Sequence, residues 1–392
     1  MKIAMMVRAY LETPPPGNVA YSPAIIAQTL AEGLQQRGHS VTFFGPEGTK
    51  IDVDHCESYG VRSVAKDQAE LDEFVGTYEL FGDYRPALYD SFVVKNIMER
   101  AAKGEFDCVI FHHFESAMPI AGMFPKVPVL YILHDFIDNE RRESIEMHST
   151  PNQHFVSISD SQRRDAPDIN YIETVYNGID IELFTTNNEP EDDYLMISGR
   201  VTPDKGTKEA VQIALQTDRK LLISGSVSKA NQWYFDEHVK PYLSNKILFL
   251  GMLEREQLVK YYQNAAGLLM PIQWQEPFGL AMVEAGACGT PVIAFNRGSV
   301  PEVVKDGKTG FIVNNSAEMI LAIEKLPKIK RQDCRDHVVK NFSIAKMIDG
   351  YESVILQLVS KNKPPKKKNT PQHKKDRISQ KVIRISKRLL NS

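Results

Sequence analysis

The sequence predicts an α/β protein made of two Rossmann-like, doubly wound parallel-sheet domains that face each other across a cleft. Short apolar runs bounded by turn residues alternate with helix-like stretches, which is typical of parallel sheets. The alternation occurs in two series separated by a polar stretch, and each series has roughly the number of strands that one doubly wound sheet needs. The predicted strands are Ile3–Val7, Val41–Phe44, Cys108–Phe111, Val127–Leu133, Phe155–Ile158, Tyr194–Ile197, Leu221–Ile223, Ile247–Leu250, Leu268–Met270 and Val292–Phe295.

The length and composition fit a globular protein of a reducing compartment. The chain has 392 residues, of which 42% are hydrophobic and 25% charged, so it is long enough for two domains and is neither disordered nor fibrous in composition. Its four cysteines form no C-x-x-C pair. The apolar start of the chain is too brief for a signal peptide, and no run of about 18 apolar residues predicts a membrane span. We expect a cytoplasmic location, with peripheral attachment to the inner face of the cytoplasmic membrane as the alternative.

The polar stretch TTNNEPEDD, which has no apolar periodicity, is interpreted as the linker between the two domains. We assign residues 1–185 to an N-terminal domain and residues 186–342 to a C-terminal domain. An amphipathic pattern predicts that residues 343–360 form a helix that crosses back to the first domain. The remaining residues, 361–392, are expected to form a basic, partly disordered tail with an amphipathic helix.

Charge is segregated along the chain, although the formal net charge is only −3. Residues 361–392 hold 12 Lys and Arg against one acid, and residues 1–360 hold 35 against 49. Apolar residues recur at helical spacing at Ile378, Val382, Ile385 and Leu389, which predicts a short basic amphipathic helix. An anionic membrane surface is the partner that such a helix suits, and a solvated tail is the alternative. Nucleic acid is not expected, because no aromatic residue is interleaved to stack on bases.

The most informative segment is LLMPIQWQEPFGLAMVEAGACGTPVIAFNRGSVPE, residues 268–302. A strand is followed by a loop that contains Glu276 and then by a predicted helix over 279–287. Free backbone N–H groups at the start of this helix, on Phe278, Gly279 and Leu280, suit a phosphate or a sugar hydroxyl. Glu284 is expected about two turns into the helix, where a buried carboxylate needs hydrogen-bond donors such as vicinal sugar hydroxyls.

A second loop, SGRVTPDKG, directly follows the strand Tyr194–Ile197. It places Arg200 and Lys205 at the carboxyl end of that strand, where parallel-sheet proteins bind ligands. Two cations in one such loop suit a diphosphate.

These segments resemble glycosyltransferase family 4, whose members are retaining transferases of GT-B fold that use nucleotide-activated sugars. The resemblance rests on EPFGLAMVEAGACGTPVIAFNRGSVPEVVKDGKTGFIV, on SGRVTPDKG, on VSISDSQRRD with VYNGIDIELF, and on RGHSVTFFGPE. It covers about residues 1–360. The resemblance implies that the first domain binds the acceptor and the second binds the nucleotide sugar.

The resemblance also implies roles for single residues. Glu276 would contact hydroxyls of the donor sugar, and Glu284 would hold the ribose hydroxyls of the nucleotide. Arg200 and Lys205 would neutralise the diphosphate, and His134 would lie beside the transferring sugar. The remaining donor-binding positions would be Gly17, Gly199, Phe278, Gly279 and Leu280.

The loop after the first strand departs from the family pattern. Many relatives follow a Pro-Pro-Pro turn with paired glycines, whereas this chain reads PPPGNVAYSP and has one glycine, Gly17. Gly17 still permits a turn with positive φ, and Asn18 tolerates one. Because this loop differs from that of the relatives, its contacts with the acceptor and the geometry of the bound donor are expected to differ as well.

The predicted function is therefore the transfer of a hexose from a UDP- or GDP-sugar, with UDP favoured, to a saccharide or lipid-linked acceptor, without a metal or other cofactor. The alternatives are a nucleotide-sugar-binding protein without transferase activity, a sugar-nucleotide epimerase of the same fold, and a phosphorylase with a lysine-bound pyridoxal cofactor. A glycosidase that uses Glu276 and Glu284 as its two carboxylates is disfavoured by the helical position of the second. Asp52 and Asp54 are interpreted as a surface pair, and His112 and His113 are expected to line the acceptor site.

Overall fold

The computed structural model describes residues 1–16, 19, 21–71, 85–187 and 193–362. Within these residues all of the strands belong to two parallel sheets, one of seven and one of six strands, so the predicted architecture of two parallel-sheet α/β domains is confirmed. Gly17, most of the predicted linker and the basic tail from residue 363 lie outside the described residues.

The first sheet has the spatial strand order β3-β2-β1-β4-β5-β6-β7, in which the order reverses between β1 and β4. Its strands are β1 (Lys2–Met6), β2 (Ser40–Phe44), β3 (His55–Glu57), β4 (Cys108–Phe111), β5 (Val129–Ile132), β6 (Gln153–Ser157) and β7 (Tyr171–Thr174). The helices among them are α1 (Ser22–Gln36), α2 (Arg85–Ala102), α3 (Met118–Ala121) and α4 (Asn139–His148). Asp138 begins α4 by accepting a hydrogen bond from the Arg141 amide at 2.8 Å.

The second sheet has the order β10-β9-β8-β11-β12-β13, with the reversal between β8 and β11. Its strands are β8 (Tyr194–Ser198), β9 (Leu221–Ser224), β10 (Ile247–Gly251), β11 (Ala265–Met270), β12 (Val292–Phe295) and β13 (Gly310–Val313). The helices of this half of the chain are α5 (Thr207–Thr217), α6 (Gln232–His238), α7 (Arg255–Asn264), α8 (Leu280–Ala287), α9 (Val300–Val303), α10 (Ser316–Ile323) and α11 (Arg331–Asn341), and a last helix, α12 (Ile344–Asn362), follows them. In such sheets ligands bind beyond the carboxyl ends of the strands, near the reversal.

Both faces of each sheet are buried, and successive residues of a strand enter different hydrophobic clusters. In β1, for example, Ile3 and Met5 pack on one face, and Ala4 and Met6 pack on the other. The same alternation holds in β8. Continuous apolar runs are expected for strands covered on both sides, which is why the runs could be recognised from the sequence.

The last helix, α12, packs against α1 of the first half of the chain. Arg37 at the end of α1 forms ion pairs with Asp349 at 2.6 Å and with Glu352 at 2.8 Å. Gly33 lies directly against Ile348, and a Cβ placed there would come within 2.0 Å of that side chain. The contact thus requires a residue without a side chain on α1, and it fixes α12 against the first sheet's helices.

The ten predicted strands are all present, with small shifts at their ends, while β3, β7 and β13 were missed. All three lie at sheet edges, and β3 (HCE) and β7 (YIET) carry polar residues in place of an apolar run. Among the described residues, the helices are too short or too polar to cross a membrane.

Candidate functional site

Glu276 lies at the centre of a compact set of polar contacts at the carboxyl end of the second sheet. Its side chain is buried, with 6% of the residue exposed. Its Oε2 accepts a hydrogen bond from Lys205 Nζ at 2.5 Å and one from the Trp274 indole Nε1 at 3.0 Å. Lys205 also lies 4.8 Å above the Trp274 ring. The two predicted loops therefore meet at an ion pair, and Trp274 is a member of the site that the sequence reasoning missed.

The loop that carries Glu276 is held from the other side by the turn after β12. Gly298 N donates to Gln275 Oε1 at 2.7 Å, and Ser299 N donates to the Glu276 carbonyl at 2.9 Å. Ser299 Oγ donates to the Phe278 carbonyl at 2.8 Å. Gly298 has φ +58°, and a Cβ there would lie 2.3 Å from both N and O of Glu276. The glycine is thus required for this close approach of two backbones.

Helix α8 begins directly after this loop. Gly279 precedes it with φ +79°, a conformation that glycine adopts at little cost. Within the described residues, the amides of Phe278, Gly279 and Leu280 donate to no protein acceptor. The helix start therefore offers free N–H groups and the positive end of a helix dipole beside Glu276.

Glu284 is partly exposed and lies one turn into α8 and not two, because the helix begins only at Leu280. Burial raises the pKa of its carboxyl, and the charge of Arg255 opposes that rise. Its hydrogen bond from the Tyr262 hydroxyl is long, at 3.5 Å. Among the described residues the carboxylate thus has no short hydrogen bond from a protein donor, and it can accept hydrogen bonds from added hydroxyls.

The loop between β8 and α5 contains two glycines in conformations that other residues rarely adopt. Gly206 has φ +75°, and a Cβ there would come within 2.0 Å of the Pro271 carbonyl. Gly199 has φ +143°. This loop carries Lys205 against the Glu276 loop, and it leaves Arg200 exposed, without an ion-pair partner among the described residues.

His134 lies two residues after the end of β5 and is half-buried. Its Nε2 lies 2.9 Å from Nδ1 of His112, which follows β4. The two ring centroids are 5.1 Å apart and the rings are within 13° of one plane. With nitrogen facing nitrogen at this separation, the rings lie edge to edge in one plane and are not stacked face to face. Burial lowers the pKa of His134 to about 4, so the ring is neutral at physiological pH.

The expectation that His112 and His113 line the acceptor site is wrong for the ligand-free chain. The two residues are 4% and 5% exposed, because both side chains enter the interior behind the ends of the strands. Burial is also the main cause that lowers the pKa of each well below its ordinary value. His112 contacts His134, and this partner was not predicted from the sequence.

Several contacts join the halves of the chain close to these groups, and two of them are made by Phe136 and Glu302. Phe136, two residues after His134, packs edge-on against Trp274 with centroids 6.1 Å apart. The loop of His134 is thereby placed against the loop of Glu276. The second contact is made by Glu302 on α9, whose carboxylate accepts from the amides of Asp160 at 2.8 Å and Ser161 at 2.7 Å.

A metal site is not evident in the described part of the chain, which contains no group of three or more His, Cys, Asp or Glu side chains suited to an ion. Asp52 and Asp54, the pair interpreted as a surface feature, are both exposed. The Asp52 amide donates to Glu32 Oε1 at 3.2 Å, and Asp54 Oδ1 accepts from Gln35 Nε2 at 2.7 Å. Their surroundings lie in the loop between β2 and β3, away from the loops described above.

Comparison with known proteins gives matches over both halves of the chain. A family profile described as Glycosyltransferase Family 4 matches residues 24–183, and one described as Glycosyl transferases group 1 matches residues 179–341. A curated relative, the D-inositol 3-phosphate glycosyltransferase of Mycobacterium sp. (strain KMS), is 32% identical over 158 residues, which are 36% of this chain and 36% of that protein. The match thus spans little more than a third of the relative's length.

Solved structures resemble the whole body of the chain. The sucrose-phosphate synthase of Thermosynechococcus elongatus superposes with a TM-score of 0.72 at 20% identity, covering 92% of this chain and 100% of that one. Anabaena HepE in complex with UDP-glucose gives a TM-score of 0.66 at 17% identity, with 92% and 100% covered. At these identities the likeness establishes the fold. Since the two family profiles together extend from residue 24 to residue 341 and the fold likeness spans both sheets, the chain belongs to glycosyltransferase family 4 and has the GT-B fold.

Proposed function

We propose that the protein is a retaining glycosyltransferase that moves a hexose from a nucleotide diphosphate sugar to a saccharide or lipid-linked acceptor. The observation that carries the proposal is the ion pair of Lys205 and Glu276 beside the free amides at the start of α8. A cation, a carboxylate and unpaired N–H groups at one point are what a diphosphate and the hydroxyls of a sugar require together.

The diphosphate is assigned to Lys205, Arg200 and the start of α8. Arg200 is exposed and can turn toward a ligand, whereas Lys205 is occupied by Glu276 in the ligand-free chain. A diphosphate that arrives beside Lys205 competes with Glu276 for its N–H donors. Glu276 is then released to accept hydrogen bonds from sugar hydroxyls. One change of partner at Lys205 thus makes Lys205 available to the diphosphate and Glu276 available to the sugar.

The nucleoside is assigned to the side of α8 that carries Glu284. Glu284 is one turn from the free amides that would face the diphosphate, and it lacks a short hydrogen bond from the described protein groups. The two hydroxyls of a ribose supply the donors that this carboxylate needs. Gly199, with φ +143°, lies in the loop after β8 and allows the backbone to approach the nucleotide closely.

In the proposed reaction the residues position the partners and stabilise charge. The bond between the anomeric carbon and the diphosphate oxygen breaks, and the acceptor oxygen bonds to the same face of that carbon. The departing phosphate oxygen takes the acceptor's proton. Lys205, Arg200 and the amides at the start of α8 stabilise the developing negative charge on the diphosphate. His134, neutral and close to the Glu276 loop, supplies a hydrogen bond to the sugar.

UDP is favoured over GDP as the nucleotide, and no metal is assigned. The support for UDP is the fold likeness to Anabaena HepE, whose structure contains UDP-glucose. The cations that would balance the diphosphate are provided by the chain itself, so the proposed site has no gap in charge that a metal must fill. The proposal leaves the hexose and the linkage open.

The main alternative is a protein that binds a nucleotide sugar without transferring it. Binding should appear in a thermal-shift measurement with UDP, GDP, ADP and their sugar conjugates, each with magnesium or with EDTA. A ligand at 100 times its dissociation constant stabilises the folded protein by about 2.7 kcal/mol. Stabilisation by UDP that survives EDTA supports the proposed donor site. Failure of every nucleotide to stabilise the protein contradicts it.

Transfer and binding are then separated by turnover. With the selected UDP-sugar and simple acceptors, release of UDP and the NMR coupling at the new anomeric centre report the reaction and its stereochemistry. Retention is expected, and inversion overturns the mechanism. Tight binding without any release of UDP, including hydrolysis to free sugar, favours the alternative of a binding protein.

We also propose that the basic tail docks on an anionic membrane surface, which would fit a lipid-linked acceptor. The described residues end with α12 at Asn362, so a chain truncated after residue 362 keeps every described contact. Each cation close to such a surface contributes at most about 1 kcal/mol. We expect the full chain, and not the truncated one, to cosediment with vesicles that contain phosphatidylglycerol. Equal sedimentation of the two chains contradicts this part of the proposal.

A further inference from the structure

The two histidines that follow β4 and β5 form an isolated hydrogen-bonded pair. His112 Nδ1 and His134 Nε2 are 2.9 Å apart in nearly coplanar rings, which is the geometry of one straight hydrogen bond. Burial lowers the pKa of His112 well below its ordinary value and that of His134 to about 4. Both rings are therefore neutral near pH 7, and each carries one N–H.

Only two arrangements of these protons make the hydrogen bond. In the first, His112 donates from Nδ1, and its Nε2 is a bare lone pair. In the second, His134 donates from Nε2, and His112 then carries its proton on Nε2. The Nε2 atom of His112 is buried and has no hydrogen-bond partner in the described structure. The second arrangement therefore buries an N–H group without an acceptor, which proteins avoid more strongly than an unpaired acceptor.

From this geometry we infer that His112 is a positioning residue that holds His134 as the Nδ1–H tautomer. The outward nitrogen of His134 is then a hydrogen-bond donor, and its inward nitrogen is the acceptor for His112. An unconstrained histidine would favour the opposite tautomer in water, and the hydrogen bond at the other nitrogen decides between them. His134 is half-buried, and in the described part of the chain no hydrogen bond engages its Nδ1.

The chemistry of the group that meets His134 follows from this tautomer. A neutral N–H donor matches a hydroxyl or carbonyl oxygen, and it offers no charge to a phosphate. Phe136 places this loop against Trp274, the neighbour of Glu276. The identification of the acceptor oxygen as one of the donor sugar rests on the proposed function, whereas the tautomer itself does not.

The tautomer can be measured directly in the ligand-free protein. Long-range ¹H–¹⁵N spectra of ¹⁵N-histidine protein distinguish protonated from bare ring nitrogens, and His134→Gln assigns the signals of His134. At pH 7.5 we expect a protonated Nδ1 and a bare Nε2 on His134. A protonated Nε2 on His134 overturns the inference.

Three variants test whether His112 is the cause. His112→Phe keeps a planar ring but removes the donor, so His134 should shift toward the Nε2–H tautomer. His112→Asn places an amide N–H on the atom attached to Cγ, as Nδ1 is, and should restore the Nδ1–H tautomer. His113→Phe is the matched control, because His113 is equally buried and both of its ring nitrogens lack partners in the described structure; His134 should keep its tautomer. An unchanged tautomer in a folded His112→Phe protein contradicts the inference.

Kinetics separate this inference from the proposed function. With an active enzyme, His112→Phe should lower kcat/KM for the nucleotide sugar by roughly 3- to 10-fold, the worth of one neutral hydrogen bond, and leave UDP affinity unchanged. His113→Phe should leave both unchanged. If His112→Phe alters the tautomer of His134 but keeps full activity, the proposed hydrogen bond from His134 to the donor sugar is contradicted. If the native protein transfers no sugar, the proposed function fails, while the NMR result still decides the tautomer.

Discussion

Lys205 Nζ lies 2.5 Å from Glu276 Oε2, and this ion pair joins two loops that follow different strands of the second sheet. Both side chains are largely buried, with 17% and 8% exposed. Removing one partner of such a pair leaves an uncompensated charge in a site of low polarity. Each charge of the pair therefore neutralises the other. In the proposed function, Lys205 becomes available to the diphosphate and Glu276 to the sugar.

Replacing Glu276 with Gln should impair sugar transfer more than nucleotide binding. The amide keeps the size of the side chain and can still accept from Trp274, but it loses the charge-assisted hydrogen bonds proposed for the sugar hydroxyls. Hydrogen bonds to charged groups contribute about 1.5 to 3 kcal/mol, so kcat/KM should fall roughly 10- to 100-fold. UDP affinity should stay within about threefold, since Lys205 is then free for the diphosphate. Steady-state kinetics and calorimetric titration measure the two effects.

The matched control is Glu256→Gln, which changes an exposed glutamate on α7. It should leave turnover and UDP affinity unchanged. The role assigned to Glu276 is contradicted if Glu276→Gln turns over within twofold of the native rate. If UDP affinity falls as much as turnover does, Glu276 contacts the nucleotide and not the sugar.

Gly298→Ala should destabilise the protein and disturb the donor site. Gly298 has φ +58°, and its new Cβ would collide with the backbone of Glu276. The left-handed conformation costs an alanine about 1–2 kcal/mol, and the overpacking adds about 1–3 kcal/mol. Chemical denaturation should therefore show a loss of roughly 2–5 kcal/mol in the free energy of unfolding, together with weaker UDP binding.

Gly307→Ala isolates the conformational part of this effect. Gly307 has φ +71°, but no atom lies within 4 Å of a Cβ built there. It should cost only about 1–2 kcal/mol and leave UDP binding intact. If the two alanine variants lose equal free energy of unfolding, the close contact between Gly298 and the Glu276 loop adds nothing to the cost of the Gly298→Ala change.

The sequence was sufficient to predict the two sheets and the loops that form the site, because strands buried on both faces leave continuous apolar runs and ligand loops follow their carboxyl ends. Edge strands such as β3 were not predicted, since its three residues, His-Cys-Glu, form no continuous apolar run. Glu276 and Lys205 could each be selected from their segments. Their direct contact could not be foreseen, because it depends on Gly206 packing against the Pro271 carbonyl.

Other parts of the site depend on tertiary contacts that no local pattern encodes. His112 was noticed as one of two adjacent histidines, yet only the structure separates the one that bonds to His134 from the one that bonds to no described group. Glu302 appeared in the sequence only as the end of a Pro-Glu pair. Its function as a contact between the halves of the chain needed the position of the amides at Asp160 and Ser161.

Nucleotide affinity should fall as the pH is lowered, because the proposed contact with two ribose hydroxyls requires an ionised Glu284. Burial raises the pKa of Glu284, so the loss begins at a higher pH than for an exposed glutamate. The contribution of Glu284 to folding stability has the opposite pH dependence. A carboxyl whose pKa is raised on folding holds its proton longer in the native state, so its contribution to the free energy of unfolding declines as pH rises through the interval between the two pKa values.

Calorimetric titration of UDP between pH 8 and pH 5 measures this dependence. Glu284→Gln should bind UDP more weakly at pH 8 and should lose the part of the pH dependence that Glu284 causes. An identical pH profile in the two proteins would show that another group controls binding. His134 should add no step near its ordinary pKa, because burial lowers its pKa to about 4.

Glu302→Ala should loosen the contact between the halves of the chain. The carboxylate of Glu302 accepts from the amides of Asp160 and Ser161 and from the Tyr176 hydroxyl at 3.0 Å. Alanine leaves these donors without their acceptor, at a cost of about 1–3 kcal/mol if they stay buried. The halves can instead separate locally and let water reach the amides. Hydrogen exchange measured by mass spectrometry should therefore become faster in the peptide around residues 159–164. Sugar transfer should become slower, because the His134 and Glu276 loops are held together less firmly.

Glu318→Ala is the control, since that carboxylate bonds within its own domain to Asn314 and Asn315. This variant should leave both exchange in the peptide and sugar transfer unchanged. Unaltered exchange in the Glu302→Ala protein would mean that Phe136 and Trp274, with the packing of α12, suffice to hold the halves together.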